Sequence, residues 1–183
     1  MMCAEEHVAP SFPEPAVLAT LDEFWDMFMK NRSLCGYLPM GAIGMRRLTP
    51  GGYYNDVTPY EAIIFKESVT LESRAAHNAV ATWNNENFVI RLWAILESNG
   101  FTKPIRDGAS RAEYVRLLKR LRQHFGHGSG CFDSSKADHR RLSRDLAALF
   151  PAVGSTEHLP LSIDVVLAPM FRYCREYAEA VLR

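Results

Sequence analysis

The chain has 183 residues, of which 48% are hydrophobic and 23% are charged, and this composition is typical of one soluble globular domain. Its 21 basic and 21 acidic residues cancel, which excludes the overall basic charge that many nucleic-acid-binding proteins carry. The four cysteines lie far apart and show no Cys-x2-Cys spacing. Neither a zinc site nor a disulfide framework is therefore predicted.

The N-terminal residues show no basic region followed by an apolar core, so the sequence predicts no signal peptide. Apolar runs such as residues 165–171 are far shorter than the ~20 residues that a membrane-spanning helix needs. We therefore expect a cytoplasmic protein with reduced thiols and no membrane contact.

Residues 1–15 contain three prolines and are expected to form a loose arm ahead of a single helical domain over 16–183. Residues 16–31 carry apolar side chains at the three-and-four spacing of a helix with one buried face. Residues 31–57 are rich in glycine and proline, which predicts a long irregular connection with short extended pieces around 42–43 and 52–54.

The next helix is predicted to begin at Thr58-Pro59-Tyr60-Glu61, which combines an N-cap, a proline at the first helical position and a capping-box glutamate. Its apolar spacing continues to about residue 83. The asparagine-rich residues 84–87 predict a kink or a break, after which an apolar series over 88–96 leads to an end at Asn99-Gly100.

A third amphipathic segment is predicted over 110–125. Ser110 and Glu113 match a capping box, in which a side-chain oxygen and a glutamate three residues later satisfy free N–H groups of the first turn. The glycines that follow, among them Gly126 and Gly128, are expected to end this helix, because glycine adopts left-handed dihedral angles at low steric cost.

Two more helices complete the predicted fold. Residues 133–135 offer capping side chains for a helix that Pro151 stops. The last helix is predicted over 163–182, where Pro169 indicates either a kink or a delayed start. The predicted fold class is therefore all-α: an up-and-down helical bundle of about five or six helices, with a long irregular connection after the first.

The candidate functional residues lie at the end of the third segment, in Arg122-Gln123-His124-Phe125-Gly126-His127-Gly128. Arg122 and His127 are five positions apart, which on an ideal helix corresponds to about 140° of rotation and about 7.5 Å of rise. To act together, they need a distorted helix end or a second copy of the chain across a symmetric interface.

This stretch resembles the Arg–polar–x3–His signature of HEPN domains. These all-helical modules occur in toxin–antitoxin, abortive-infection and RNA-targeting CRISPR systems. Gly126 and Gly128, on either side of the histidine, fit the pattern. Gln123 departs from it, because the family usually has Asn, Asp or His after the arginine. Arg120 also falls within the looser spacing that the family tolerates, so the spacing leaves the choice of arginine open.

The resemblance implies a metal-independent endoribonuclease whose active site is composed from both protomers of a homodimer. Arg122 would grip the RNA phosphate, His127 would act as general acid and base, and Gln123 and His124 would orient backbone or substrate. No cofactor and no metal are expected. RNA is the implied substrate, a toxin or anti-phage defence role is implied, and a nucleotidyltransferase-type antitoxin is the implied partner.

Three other interpretations fit the same residues. The first is a non-catalytic HEPN-like dimer that binds RNA, nucleotides or a protein. The second is a structural helical protein in which the arginine and the histidine only cap a helix end, because such a pair recurs often by chance. The third is a metal site at His124, His127 and His139, which would need a carboxylate such as Asp133 or Asp138.

Overall fold

The computed structural model describes residues 14–34, 45–48, 61–64, 70–127, 132–153 and 159–183. Five α-helices pack together in this part of the chain: α1 Glu14–Leu34, α2 Leu71–Ser98, α3 Ala112–His127, α4 Ala137–Leu149 and α5 Ala168–Leu182. Two four-residue strands, β1 Met45–Leu48 and β2 Glu61–Ile64, pair antiparallel. The all-α bundle with five or six helices is therefore confirmed. Among the described residues, no helix is long and apolar enough to cross a membrane.

The central element of the bundle is α3, which contacts α2, α4 and α5. Its residues Val115, Leu118 and Leu121 recur at the spacing of one helical face, and all three are excluded from solvent. Burying a side chain of this kind contributes about 1.5–3 kcal/mol. This burial fixes the rotation of α3 about its axis, and it turns the basic residues of the helix towards the surface.

An aromatic cluster joins α1 to the bundle. The ring of Trp25 stacks on Phe171 of α5 at 4.9 Å between centroids, and Phe24 stacks on Phe88 of α2 at 5.2 Å. Phe28 also contacts Phe88, at 4.4 Å. The apolar stripe of the first predicted helix is thus part of the core, and its predicted range over 16–31 lies inside α1. The predicted loose arm over 1–15 lies outside the described residues, except for its last two positions, which belong to α1.

The start predicted for the second helix is wrong. Residues 61–64 form β2, which pairs with β1 in the register Met45↔Ile64, and the β-branched residues of this segment favour a strand. The helix instead begins after Thr70, whose hydroxyl accepts the backbone N–H of Ser73 at 3.1 Å. Residues 58–60 and the predicted extended pieces around 42–43 and 52–54 lie outside the described residues.

The kink or break predicted at residues 84–87 is also wrong, because α2 runs unbroken from Leu71 to Ser98. Asn85 is buried, and its amide donates to the backbone carbonyl of Leu161 at 2.7 Å. This hydrogen bond therefore connects the middle of α2 to the segment that leads into α5. The predicted end is confirmed: Asn99 is the C-cap, and Gly100 follows with φ of 79°.

The ends of α3 differ from the prediction. The helix begins at Ala112, and Arg111 precedes it with φ of 69°, so Ser110 does not occupy the N-cap position. At the other end, Gly126 is helical and the helix continues to His127. Gly126 is therefore not the terminator, and Gly128 lies outside the described residues.

The last two helices follow the prediction closely. The fourth helix ends at Leu149, and a single 3-10 turn from Pro151 to Val153 follows it. A π-helical turn, Ile163–Leu167, precedes α5, which starts with Pro169 near its N-terminus. The delayed start at Pro169 is thus confirmed, because a missing N–H is tolerated in the first helical turn.

Candidate functional site

An open cleft of about 1290 Å³ lies between α3 and α4, with the turn at residues 102–105 forming a third wall. Its walls carry more positive than negative side chains. Five are cationic, namely Lys103, Arg116, Lys119, Arg120 and Arg141. Two are carboxylates, Asp138 and Asp145. In a chain with no net charge, this concentration of positive charge favours an anionic ligand at this place on the surface.

The helical repeat explains why these side chains converge. Arg116, Lys119, Arg120 and Gln123 follow one another at three-and-four spacing along α3, opposite the buried apolar face. The residues of α3 that line the cleft therefore form one continuous ridge. The same spacing on α4 brings Asp138, Arg141 and Asp145 to the facing wall.

An ion pair ties the two walls together. Arg120 of α3 pairs with Asp145 of α4, and each side chain is about one third exposed, at 36% and 32%. A guanidinium has five N–H donors in a fixed planar arrangement. A single carboxylate does not use all of them, so the remaining N–H groups can donate hydrogen bonds to an anion in the cleft. A second pair, between Arg116 and Asp107, joins the ridge to the turn before α3.

Two histidines meet inside the cleft. The rings of His124 and His139 lie 4.6 Å apart between centroids and almost perpendicular, and the other neighbour of His139 is the ring of Phe132 at 5.7 Å. The Nδ1 atom of His139 accepts the backbone N–H of Asp133 at 2.9 Å. Because a backbone N–H can only donate, this bond fixes the neutral tautomer of His139 with its proton on Nε2.

The turn that holds His139 is itself braced. The Asp133 carboxylate accepts both the backbone N–H of Ser135, at 2.9 Å, and its hydroxyl, at 2.6 Å. These hydrogen bonds hold the pKa of Asp133 below its ordinary value, because they favour the ionised form. The ionised carboxylate is the form that accepts both of these hydrogen bonds.

One buried polar group faces the cleft from the third wall. Thr102 lines the cleft with only 4% of its surface exposed, and its hydroxyl makes no hydrogen bond within the described part of the protein. Leaving a buried hydroxyl unsatisfied costs about 1–3 kcal/mol.

Of the residues singled out in the sequence, three line the cleft: Arg120, Gln123 and His124. Arg122 is half-buried on α3 and is not among the described side chains of the cleft walls. His127 is the last residue of α3. Position 127 is seven residues after position 120, which is about two helical turns, so these two positions share a face and position 122 does not.

Sequence reasoning missed the partners that α4 contributes. The sequence indicates His139 only as a possible metal ligand, and it gives no indication of a role for Asp145. Within the described residues, no three side chains of His, Cys, Asp or Glu converge in a way that could hold a metal ion. The signal for the α4 residues was present in the spacing of positions 138, 141, 142 and 145, but nothing local showed that this ridge faces α3.

No protein-family model matches the chain, and no curated protein or solved structure matches it either. The likeness to HEPN domains therefore rests on the residues at the end of α3, and function is argued from the chemistry of the cleft.

Proposed function

We propose that the protein is a metal-independent endoribonuclease that binds the RNA backbone in the cleft between α3 and α4. The observation that carries this proposal is the convergence of five cationic side chains and two imidazoles in one open cleft. Phosphodiester groups are the anions that such a surface suits best, because Lys and Arg neutralise the phosphate charge and release counterions. The cleft face of α3 also leads directly to position 127, where the resemblance to HEPN domains places the catalytic histidine.

RNA cleavage of this kind requires two proton transfers and the stabilisation of the negative charge that develops on the phosphate. The ribose 2′-hydroxyl attacks the neighbouring phosphorus and gives up its proton, and the 5′-oxygen leaves and takes a proton. His127 serves this proton transfer, because imidazole titrates near neutral pH. An arginine stabilises the charge of the phosphorane transition state through paired N–H donors. The second histidine and arginine come from a second copy of the chain, as in the composite sites of the family.

Of the two candidate arginines, the geometry favours Arg120. It lines the cleft and lies on the same helical face as position 127, while Arg122 lies about 200° of helix rotation away from Arg120. The spacing from Arg120 to His127 also falls within the range that the family tolerates. Arg122 remains the alternative if a second protomer supplies the histidine that it meets.

The biological role follows from the same resemblance. On this proposal the protein acts as a homodimer in a toxin or anti-phage defence system, and a nucleotidyltransferase-type antitoxin restrains it. Such a partner would be encoded next to this protein in the genome, and its coexpression would suppress the growth arrest that the endoribonuclease causes alone.

A non-catalytic RNA- or nucleotide-binding module is the second candidate function. Two observations favour it: Gln123 departs from the family signature, and Arg120 is already paired with Asp145. The same cleft would then hold RNA without cutting it.

An RNA-cleavage gel in the presence of EDTA tests the proposal on the purified full chain. Removing a transition-state donor costs about 10²–10³ in rate, so we expect a loss of this size for Arg120→Ala. His127→Ala should lose about 10²–10⁴. Arg122→Ala should keep most of its activity, and a large loss in this variant with an active Arg120→Ala would favour Arg122 as the catalytic arginine. Full activity of His127→Ala would show that the assignment is wrong. Tight RNA binding without cleavage by the wild type would favour the binding module. Column-measured mass checks that every variant remains folded and dimeric.

A further inference from the structure

We propose that His139 contacts the RNA directly, donating its Nε2–H to a phosphate oxygen in a subsite that it forms with His124 inside the cleft. This inference rests on the proposal that the cleft binds RNA, and it assigns a ligand-binding role to a residue of α4, outside the arginine–histidine pair of α3.

The first argument is the fixed orientation of the ring. The hydrogen bond from the backbone N–H of Asp133, at 2.9 Å, fixes Nδ1 of His139 against the turn that contains Asp133. The rings of Phe132 and His124 contact the imidazole of His139 and restrict its rotation. The remaining nitrogen, Nε2, points away from Asp133 and carries the proton of the neutral ring. A donor with a fixed direction on a cleft wall loses little entropy when it binds an acceptor.

The second argument is the lining around this donor. The Arg120–Asp145 pair and Arg141 line the same cleft, so an anionic oxygen near Nε2 would also be attracted by guanidinium groups. The two guanidinium groups can donate to phosphate oxygens, which accept hydrogen bonds and do not donate them when ionised.

The size of the cleft indicates the class of ligand. A site for a drug-sized molecule measures roughly 300–1,000 Å³, whereas this cleft measures about 1290 Å³. It therefore has room for more than one nucleotide. Its five cationic side chains come from three elements, namely the turn at residues 102–105, α3 and α4. We therefore assign the subsite to a phosphodiester of a single-stranded RNA segment, and not to free phosphate.

The test uses two substitutions that separate the two ring nitrogens. In His139→Asn, the amide oxygen can replace Nδ1 as the acceptor for Asp133, but nothing replaces Nε2. In His139→Gln, the longer amide can place an N–H donor near the position of Nε2, but the acceptor for Asp133 is lost. A structural role would be rescued by Asn, and a ligand-binding role would be rescued by Gln.

Binding is measured by fluorescence anisotropy with a 2′-O-methyl RNA oligonucleotide, which cannot be cleaved because its 2′-oxygen is blocked. We expect His139→Asn to melt like the wild type and to bind about tenfold more weakly, the effect of losing one hydrogen bond to a charged acceptor. His139→Gln should bind more tightly than His139→Asn. His77→Asn, on α2 and outside the cleft walls, is the matched control and should bind like the wild type.

Wild-type affinity in His139→Asn would overturn the inference. If that variant does not fold, the imidazole ¹⁵N signals of the wild type replace it as the readout: the Nε2 signal of His139 must shift on addition of the oligonucleotide, and an unchanged signal overturns the inference. Inorganic phosphate at the same phosphate concentration should not displace the oligonucleotide, and efficient displacement would contradict the assignment to RNA. Because no step requires cleavage, binding without cleavage would refute the endoribonuclease and leave the role of His139 intact.

Discussion

Replacing Tyr177 with phenylalanine tests how the third wall of the cleft is held in place. Tyr177 lies on α5 with no exposed surface. Its hydroxyl accepts the backbone N–H of Arg106 at 3.0 Å and donates to the carbonyl of Phe101 at 3.2 Å. These two bonds bracket the turn that carries Thr102 and Lys103 into the cleft. The substitution removes one oxygen and leaves the aromatic packing unchanged, so its effect isolates the two hydrogen bonds.

The size of the effect follows from the burial of the two partners. Each lost hydrogen bond costs about 0.5–1.5 kcal/mol, and a buried carbonyl left without a partner costs up to about 3 kcal/mol. We therefore expect the free energy of unfolding to fall by roughly 2 kcal/mol, because water can reach the exposed turn at Arg106 but not the buried Phe101. For a chain of this length, that corresponds to a Tm lowered by roughly 4–8 °C.

Thermal unfolding followed by circular dichroism measures the Tm, and Tyr173→Phe is the matched control. The Tyr173 hydroxyl accepts only a surface bond from Arg172, at 3.1 Å, so its loss should change stability by no more than about 0.5 kcal/mol. Limited trypsin digestion adds a local readout, since a loosened turn should be cut faster after Arg106. If Tyr177→Phe melts within 1 °C of Tyr173→Phe, the turn is not held by these two hydrogen bonds.

Three further substitutions, at Glu86, Gly126 and Gly100, test the local energetics of the helices. Burial raises the pKa of Glu86 above its ordinary value of 4.5, so the carboxyl group binds its proton more tightly in the folded state than in the unfolded state. The stability that this proton contributes is present below pH 4.5 and is lost as the pH rises through the raised pKa. Glu86→Gln should therefore raise the Tm at pH 7 and leave it unchanged at pH 4, and an equal shift at both pH values would contradict the reasoning. Gly126 is helical, and an added Cβ would meet nothing within 4 Å, so Gly126→Ala should stabilise the protein by about 0.4–1 kcal/mol. Gly100→Ala should have the opposite sign in the same urea titration, because Gly100 has φ of 79°.

The helices could be predicted where local signals agreed with burial. In α3, the apolar spacing that predicted the helix is the same spacing that buries Val115, Leu118 and Leu121. At residues 61–64, the local signals pointed the other way. The capping pattern there was a good one, but pairing with β1 depends on a segment elsewhere in the chain, and no feature of the capping pattern reports such a partner.

The asparagines of α2 illustrate the same limit. A run of asparagines has low helix propensity, and the sequence therefore predicted a break. The tertiary hydrogen bond from Asn85 to Leu161 contributes about 0.5–1.5 kcal/mol, which is of the same size as the low helix propensity of one asparagine. Long-range hydrogen bonds of this kind depend on the packing of the bundle, so they cannot be predicted from a short stretch of neighbouring residues.

The candidate site was predictable in one helix and not in two. The sequence singled out one short segment of α3, of which Arg120, Gln123 and His124 line the cleft and Arg122 is not among the lining residues. It could not identify His139 as the neighbour of His124, because their contact depends on how α4 packs against α3. The choice between the two candidate arginines was open for the same reason. The distance along the sequence to the histidine fits both of them, and only the orientation of α3 in the bundle shows which one lines the cleft.

The ion pair between Arg120 and Asp145 also affects how readily the Arg120 guanidinium could bind a phosphate. An ion pair whose side chains are about one third exposed contributes only about 0–1 kcal/mol to stability, so releasing part of the Arg120 guanidinium to a phosphate costs little. Asp145 meanwhile holds the Arg120 guanidinium between α3 and α4, on the lining of the cleft. A carboxylate in a cationic cleft is therefore consistent with phosphate binding: it orders the arginine before the ligand arrives, and the entropy of ordering that side chain is not lost again on binding.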